Sequence, residues 1–291
     1  MDVREYLRDE LLEEASQGYV DAAELERRLA LFDGGAAASG GVRAKNQDGA
    51  DGVTVAEDDP AITVERHEVS SPAGAVEVYV ARPAGDGVAP GILVIHENRG
   101  LTPHIRDVAR RYAKLGYVAL APDLLTPKGG ADSFADPAEA IAALGTLDRD
   151  DMVTQLLAAL DDLASLPGVD AAHLGVTGFC FGGGMAWRVA TKDPRLAAAV
   201  PFYGSNPPLE DVPAINAAVL AIYGGLDERI NAGIPAIEEA MRDAGKSFEK
   251  EVYDGAEHAF HNDTNPDRYH PSAAAAAWAR ATEFFAKHLR H

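Results

Sequence analysis

Five stretches of this chain are too uniformly apolar to be strands with one wet face: GILVIHE (91–97), YVALAPD (117–123), HLGVTGF (173–179), LAAAVPFYG (196–204) and AVLAIYGG (218–225). A strand reads this way when both of its faces are covered, which is the situation in a parallel sheet layered between helices. The segments between them carry helical periodicity. Thr102 is placed to cap a helix with Pro103 at its first position, and Ile105, Val108, Tyr112 and Leu115 form its apolar stripe up to Gly116. DDMVTQLLAALDDLASL, MAWRVATKD and SAAAAAWARATEFFAKHL supply further helices. Upstream, ITVERHEV and AVEVYVARP alternate around the turn chemistry of SPAG and predict a hairpin, while SFEKEVYDG predicts a late strand. The expectation is an α/β fold over residues 61–291, with a mainly parallel sheet of about eight strands flanked by helices.

Residues 1–33 predict a helical arm. Leu7, Leu11, Leu12 and Ala15 recur at helical spacing, and Asp21 with Glu24 opens a second helix carrying Leu25, Leu29 and Phe32. GGAAASGG then breaks the pattern, so 34–60 reads as a linker. The pattern leaves open whether the arm covers a second copy of the chain, a site or its own domain. With 46 acidic against 26 basic residues, the formal charge of −20 disfavours nucleic acid and anionic lipid as partners. Only seven of the basic residues are lysine, a balance that suits either a salt-loaded interior or an ordinary soluble surface from a GC-rich genome. No apolar run approaches the roughly 18 residues of a membrane span, no leader pattern opens the chain, and a single cysteine makes no internal disulfide. A cytoplasmic protein is the expectation.

That cysteine, Cys180, sits in VTGFCFGGG between a predicted strand and a predicted helix. A lone cysteine is more often a small buried hydrophobe than a reagent. Here, however, Gly178-Phe179-Cys180-Phe181-Gly182 matches the G-x-S-x-G elbow with sulfur in place of oxygen. A nucleophile on a sharp strand-to-helix turn needs glycine two residues to either side, where a side chain would block the turn. It also needs a base and an orienting acid, in the chain order nucleophile, acid, histidine. Asp227 in GGLDERI and His258 in GAEHAFHND follow in that order, each just past a predicted strand end. The plainer roles for these two are a turn cap and a surface-loop histidine.

Taken together, GFCFGGG, GGLDERI, EHAFHND, HENRGL and YVALAPDLL resemble the dienelactone hydrolase family of the α/β-hydrolase fold, across roughly residues 61–291. The closest likeness is to the carboxymethylenebutenolidase-like subgroup. The resemblance implies a hydrolase of small esters or lactones with a Cys180–Asp227–His258 triad, a thioester acyl-enzyme and no cofactor. It also implies that Glu97 contacts the resting cysteine; Glu97 would then keep the thiol protonated until substrate displaces it, because a carboxylate disfavours a neighbouring thiolate. The plainer local role for Glu97 is to cap the helix after Thr102. In such a fold the oxyanion donors are backbone N–H groups, expected here from Phe181 and Asn98.

The likeness thins at the substrate pocket. Dienelactone hydrolases carry two arginines for the substrate carboxylate, and the corresponding places here hold Thr126 or Pro127 and Asn262. Arg229 is a candidate replacement cation, with Lys128 a remoter one, and Tyr203, Phe179 and Phe181 are candidate pocket walls. His261 is expected to hold its loop rather than touch the site. The nine histidines show no H-E-x-x-H spacing and no G-x-x-x-x-G-K-[ST] loop is present, so neither a metal nor a nucleotide is expected. A thioesterase or broad short-chain carboxylesterase would use the same triad. A non-catalytic, redox-responsive binding protein would use Cys180 alone.

Overall fold

The computed structural model describes residues 54–290; the helical arm and most of the linker lie outside the described residues. One eight-stranded sheet runs in the order β1-β2-β4-β3-β5-β6-β7-β8. Its strands are β1 (Ile62–Val69), β2 (Val76–Pro83), β3 (Ala89–Ile95), β4 (Val118–Asp123), β5 (Val169–Phe179), β6 (Leu196–Phe202), β7 (Ala218–Gly224) and β8 (Phe248–Tyr253). The β1–β2 hairpin and the β2–β4 pair are antiparallel; every other pairing is parallel. All seven residues of β7 and all six of β4 are buried, whereas the edge strand β8 is at most half-buried.

The helices are α1 (Pro103–Lys114), α2 (Pro137–Gly145), α3 (Arg149–Ser165), α4 (Phe181–Lys192), α5 (Glu228–Asn231), α6 (Ile234–Asp243) and α7 (Pro271–Leu289). Neighbouring strand residues point to opposite faces, and this sorts the layers. Leu163 of α3 and Leu174 of β5 both lie against Gly91, while Phe285 and Leu289 of α7 lie over Gly175, the residue after Leu174 in β5. On the α7 face, Tyr112 of α1 meets Trp278 at 4.6 Å and Phe285 at 5.7 Å between ring centroids. Each fully buried aliphatic or aromatic side chain in these layers contributes about 1.5–3 kcal/mol relative to exposure.

Two local expectations change. The Thr102 hydroxyl caps nothing, since its Oγ1 is buried without a hydrogen-bond partner, although Pro103 does open α1. Leu115 is exposed rather than on the stripe, because α1 ends at Lys114 and the chain turns away through Gly116 at φ 88°. The stretch read as linker ends in firm attachment. The N–H groups of Thr54 and Val55 and the Thr54 hydroxyl donate to the Asp107 carboxylate at 3.1, 2.7 and 2.7 Å, and Arg110 Nε donates to Val55 O at 2.5 Å. Among the described residues no helix is long and apolar enough to cross a membrane, and no cluster of three or more His, Cys, Asp or Glu is disposed to hold a metal ion.

Candidate active site

Register brings the chemistry to one rim. Ile95 pairs with Gly178, Phe179 with Phe202, Phe202 with Ile222 and Gly224 with Tyr253. Glu97, Cys180, Tyr203, Asp227 and His258 therefore all leave the sheet at its C-terminal end, where open α/β sheets place their ligands.

Cys180 lies between the last residue of β5 and the first of α4, at φ 56° and ψ −118°. Its N–H donates to Phe202 O at 3.1 Å, and its carbonyl accepts from the N–H groups of Gly183 and Gly184 at 2.9 and 3.2 Å. The flanking glycines are required by contact. A Cβ on Gly178 would stand 2.0 Å from Gly182 O, and one on Gly182 would stand 2.4 Å from both Ile95 O and His96 O. These neighbours are backbone and cannot swing aside. Cys180, Tyr203 (φ 37°) and Ala259 (φ 60°) are the non-glycine residues with positive φ among the described residues, and all three stand on this rim. Such strain persists only where the surroundings over-determine it, and it gathers at functional sites.

Asp227 divides its carboxylate. Oδ1 accepts the Ile230 N–H at 3.2 Å and so caps α5, while Oδ2 meets His258 Nδ1 at 2.5 Å. One carboxylate thus both caps the turn and contacts the histidine. Burial pushes the Asp227 carboxyl up, but His258, Arg229 and the Ile230 N–H together hold it below the ordinary carboxylate value. With Nδ1 given to the carboxylate, Nε2 is the basic nitrogen of His258. The imidazole is buried, with the Tyr203 ring 5.1 Å away.

Glu97 does not cap α1. Its Oε2 accepts from Asn262 Nδ2 at 2.6 Å, and its carbonyl oxygen meets His96 Nδ1 at 2.6 Å. His96 Nε2 accepts the Leu124 N–H at 3.1 Å, so Nδ1 carries the proton and donates it to the Glu97 carbonyl. Burial holds the His96 imidazole below its ordinary value, in agreement with a neutral ring. Asn98 follows in the same buried loop, and Phe181 opens α4 with its ring 6.2 Å from His96.

The positions where the family carries arginine are structurally committed. Thr126 Oγ1 donates to Asp123 O at 2.6 Å and accepts from the Glu77 N–H at 2.9 Å, Pro127 is exposed, and Asn262 holds Glu97. Lys128 and Arg229 are exposed. Tyr203 is fully buried between the elbow and His258, and Phe179 is fully buried as a floor beneath the elbow, stacked on His261 at 5.2 Å and against Phe202 at 4.7 Å. His261 is buried within this aromatic stack; burial, with His104 and Arg111 nearby, drives its imidazole well below the ordinary value. Sequence reasoning missed two residues that the site brings in. Asn262 shows in the sequence only as a place without arginine, and Arg149, at the start of α3, lays its guanidinium over the Phe181 ring at 5.5 Å. The second had no local signal.

Residues 76–289 match the model of the dienelactone hydrolase family. A protein of Salmonella typhimurium (strain LT2) named "Putative carboxymethylenebutenolidase" is 37% identical over 245 residues, spanning 79% of this chain and 89% of that one. Among solved structures, the "Putative Dienelactone Hydrolase" of Klebsiella pneumoniae is 33% identical with a TM-score of 0.70, covering 78% of this chain and 99% of that chain. A dienelactone hydrolase-like promiscuous phosphotriesterase from metagenomic libraries is 26% identical with a TM-score of 0.69, and covers 78% of this chain and 99% of that chain.

Proposed function

Because the chain belongs to the dienelactone hydrolase family, hydrolases of esters and lactones, we propose that it cleaves small esters or lactones through a Cys180–His258–Asp227 triad and a thioester acyl-enzyme. The observation that carries this reading is the 2.5 Å contact of His258 Nδ1 with Asp227, formed at the rim level where the strained elbow presents Cys180.

In the acylation step the Cys180 thiol proton passes to His258 Nε2 as sulfur bonds to the substrate carbonyl carbon. The carbonyl oxygen takes up the electron pair and is received by the Phe181 and Asn98 N–H groups, each such donor being typically worth about 2.7–4 kcal/mol. The amide dipoles at the start of α4 favour negative charge in the same place. Collapse of the intermediate breaks the C–O bond, and His258 returns its proton to the departing alkoxide. In a lactone that alcohol remains tethered to the acyl group. Water, deprotonated by His258, then attacks the thioester; the acid leaves and the thiol is restored. Glu97 guards the resting enzyme in this reading. With Oε2 held by Asn262, Oε1 would be the oxygen to meet the thiol and keep it protonated until substrate intervenes.

The committed arginine positions turn the reading from dienelactone itself toward a broader set of esters and lactones, with Arg149 over Phe181 and Arg229 beside Asp227 as the cations to probe. The test is turnover of p-nitrophenyl acetate, graded longer esters, lactones and one phosphotriester by wild type, with and without iodoacetamide, and by Cys180→Ala. Ester turnover abolished by both treatments is expected. Full turnover by Cys180→Ala would overturn the triad, and thiol alkylation without any ester turnover in the untreated protein would favour the redox-responsive binding protein.

A further inference from the structure

The His258–Asp263 turn is tied locally, to itself and to the residues that follow it: Asn262 N–H donates to Ala259 O at 3.0 Å, Asn265 N–H to Asn262 O at 3.1 Å and His270 N–H to Phe260 O at 3.0 Å. Asn262 Oδ1 accepts both the N–H and the hydroxyl of Thr264, at 3.0 and 2.6 Å. A unit tied this way moves as a body, and it begins with His258 followed by Ala259 at φ 60°. A non-glycine residue relaxes out of that region unless something outside holds it there.

Besides the His258–Asp227 contact and the stacking of His261 on Phe179, two side chains beyond the imidazoles pin the unit from outside. Asn262 grips Glu97, 165 residues away in sequence. Asp263 grips α1: His104 Nδ1 meets its Oδ1 at 2.9 Å, and Arg111 Nη2 donates to its Oδ2 at 2.5 Å. Arg111 is itself braced, with Nε donating to Asp107 Oδ2 at 2.7 Å, and Asp107 is the carboxylate that fastens Thr54 and Val55. The chain's entry into the domain and the histidine turn are thus secured to one buried face of α1.

We propose that Asp263 is a positioning residue that, through His104 and Arg111, holds the 258–263 turn so that one rigid unit delivers the His258 imidazole to Asp227 and the Asn262 amide to Glu97. This rests on the triad reading above for its catalytic consequence, though not for its geometry. Without the Asp263 pin, the turn keeps the Asn262–Glu97 bond, the His258–Asp227 contact itself and the packing of Phe260 and His261, but loses its tie to α1; Ala259 then relaxes toward negative φ and the imidazole shifts from its place. Misplacement on the scale of 1 Å costs roughly a hundredfold in a positioned reaction.

The test uses the full chain and compares wild type with Asp263→Asn, Arg111→Met, Arg111→Lys and Thr54→Val. Readouts are kcat and KM on p-nitrophenyl acetate, the pH profile of kcat/KM, the melting temperature, and the low-field Nδ1–H proton resonance of His258, identified by its loss in His258→Asn. Asp263→Asn and Arg111→Met should each lower kcat by about ten- to a hundredfold with KM within about twofold, and should shift or broaden that resonance. Arg111→Lys should restore most of kcat, and Thr54→Val should leave kcat unchanged, because it touches only the Asp107 side of the brace. A wild-type resonance and pH profile in Asp263→Asn would overturn the proposal, even if the melting temperature falls, since that is the signature of a purely structural ion pair. Turnover surviving in Cys180→Ala would sink the triad reading alone, because the His258 resonance reports the turn without reference to chemistry.

Discussion

Two turns carry the proposed chemistry of this molecule, and they are held in opposite ways. The elbow at 178–184 is fixed by backbone meeting backbone, where the absence of side chains at Gly178 and Gly182 is the whole specification. The histidine turn at 258–263 is fixed by side chains, Asn262 and Asp263, reaching partners 165 and 152–159 residues away in sequence. Each turn stores a strained non-glycine residue, Cys180 in one and Ala259 in the other. The first kind of constraint fails all at once when violated. The second fails by degrees, because hydrogen bonds and ion pairs can be lost singly.

The sharpest way to break this contrast is Gly182→Ala. Its methyl group would meet two backbone carbonyl oxygens at 2.4 Å, with β3 on one side and the elbow on the other. Overpacking costs about 1–3 kcal/mol where side chains can shift, and more where only backbone can. We expect at least about 3 kcal/mol of lost stability by urea denaturation, together with loss of turnover. A wild-type urea midpoint would show that the elbow is not sterically determined.

Next in size is Asp227→Asn. The amide can still accept the Ile230 N–H through its oxygen, so α5 and the fold should survive. It cannot hold the His258 tautomer with a carboxylate, and a loss of about 10⁴ in kcat is expected by analogy with other triads. A melting temperature near wild type with that loss separates orientation from folding. A kcat within tenfold of wild type would remove Asp227 from the triad.

The same contrast explains what could be read in advance. The buried strands declare themselves as apolar runs, because burial on both faces leaves no position for polar residues, and β3 to β7 follow. The elbow declares itself because its steric demand falls on residues two apart. Asp227 and His258, the proposed acid and base, stand out through their order and their strand ends, and the structure brings them into contact. What the chain does not spell out locally is tertiary choice. Nothing near Asn262 says that it holds Glu97, nothing near Asp263 says that it meets α1, and nothing near Arg149 says that it lies on Phe181. The attachment of Thr54 and Val55 hid inside a stretch without periodicity, because all but one of its groups, the Thr54 hydroxyl, are backbone N–H and C=O groups, which every sequence has. Leu115 and Thr102 misled for the converse reason: a helix end is decided by the turn that follows, and a hydroxyl in the capping position need not bond.

Asn262→Leu probes the histidine turn at its tie to Glu97. It keeps the branching and heavy-atom count of the side chain but leaves a buried carboxylate oxygen without its donor, and it also removes the acceptor of the Thr264 N–H and hydroxyl. Hydrogen bonds to charged groups are worth about 1.5–3 kcal/mol, so a stability loss of that order is expected from chemical denaturation. If Glu97 guards the thiol, the pH dependence of Cys180 alkylation by iodoacetamide should move as well. An unchanged alkylation profile beside an unchanged urea midpoint would mean that Glu97 is held by something other than Asn262.

The smallest expected effect concerns the second tie, and its sign follows from linkage. Burial raises the Asp263 carboxyl, but His104 and Arg111 outweigh it and bring the group from an ordinary 3.8 down to about 2. A carboxyl depressed in the folded state binds fewer protons there than in the unfolded chain. It therefore adds stability above its unfolded value, and that contribution drains away as the pH falls from about 4 to about 2. Asp263→Asn should consequently show a lower urea midpoint than wild type at pH 5, with the gap narrowing through that window. Because the group is partly open to solvent, the gap should also shrink in molar salt. The elbow offers no such handle, since a steric constraint neither titrates nor screens: the Gly182→Ala deficit should stay constant from pH 5 to pH 2. A narrowing of both gaps in parallel would erase the distinction between the two turns, and constancy of both would show that the Asp263 contacts contribute nothing to holding its turn.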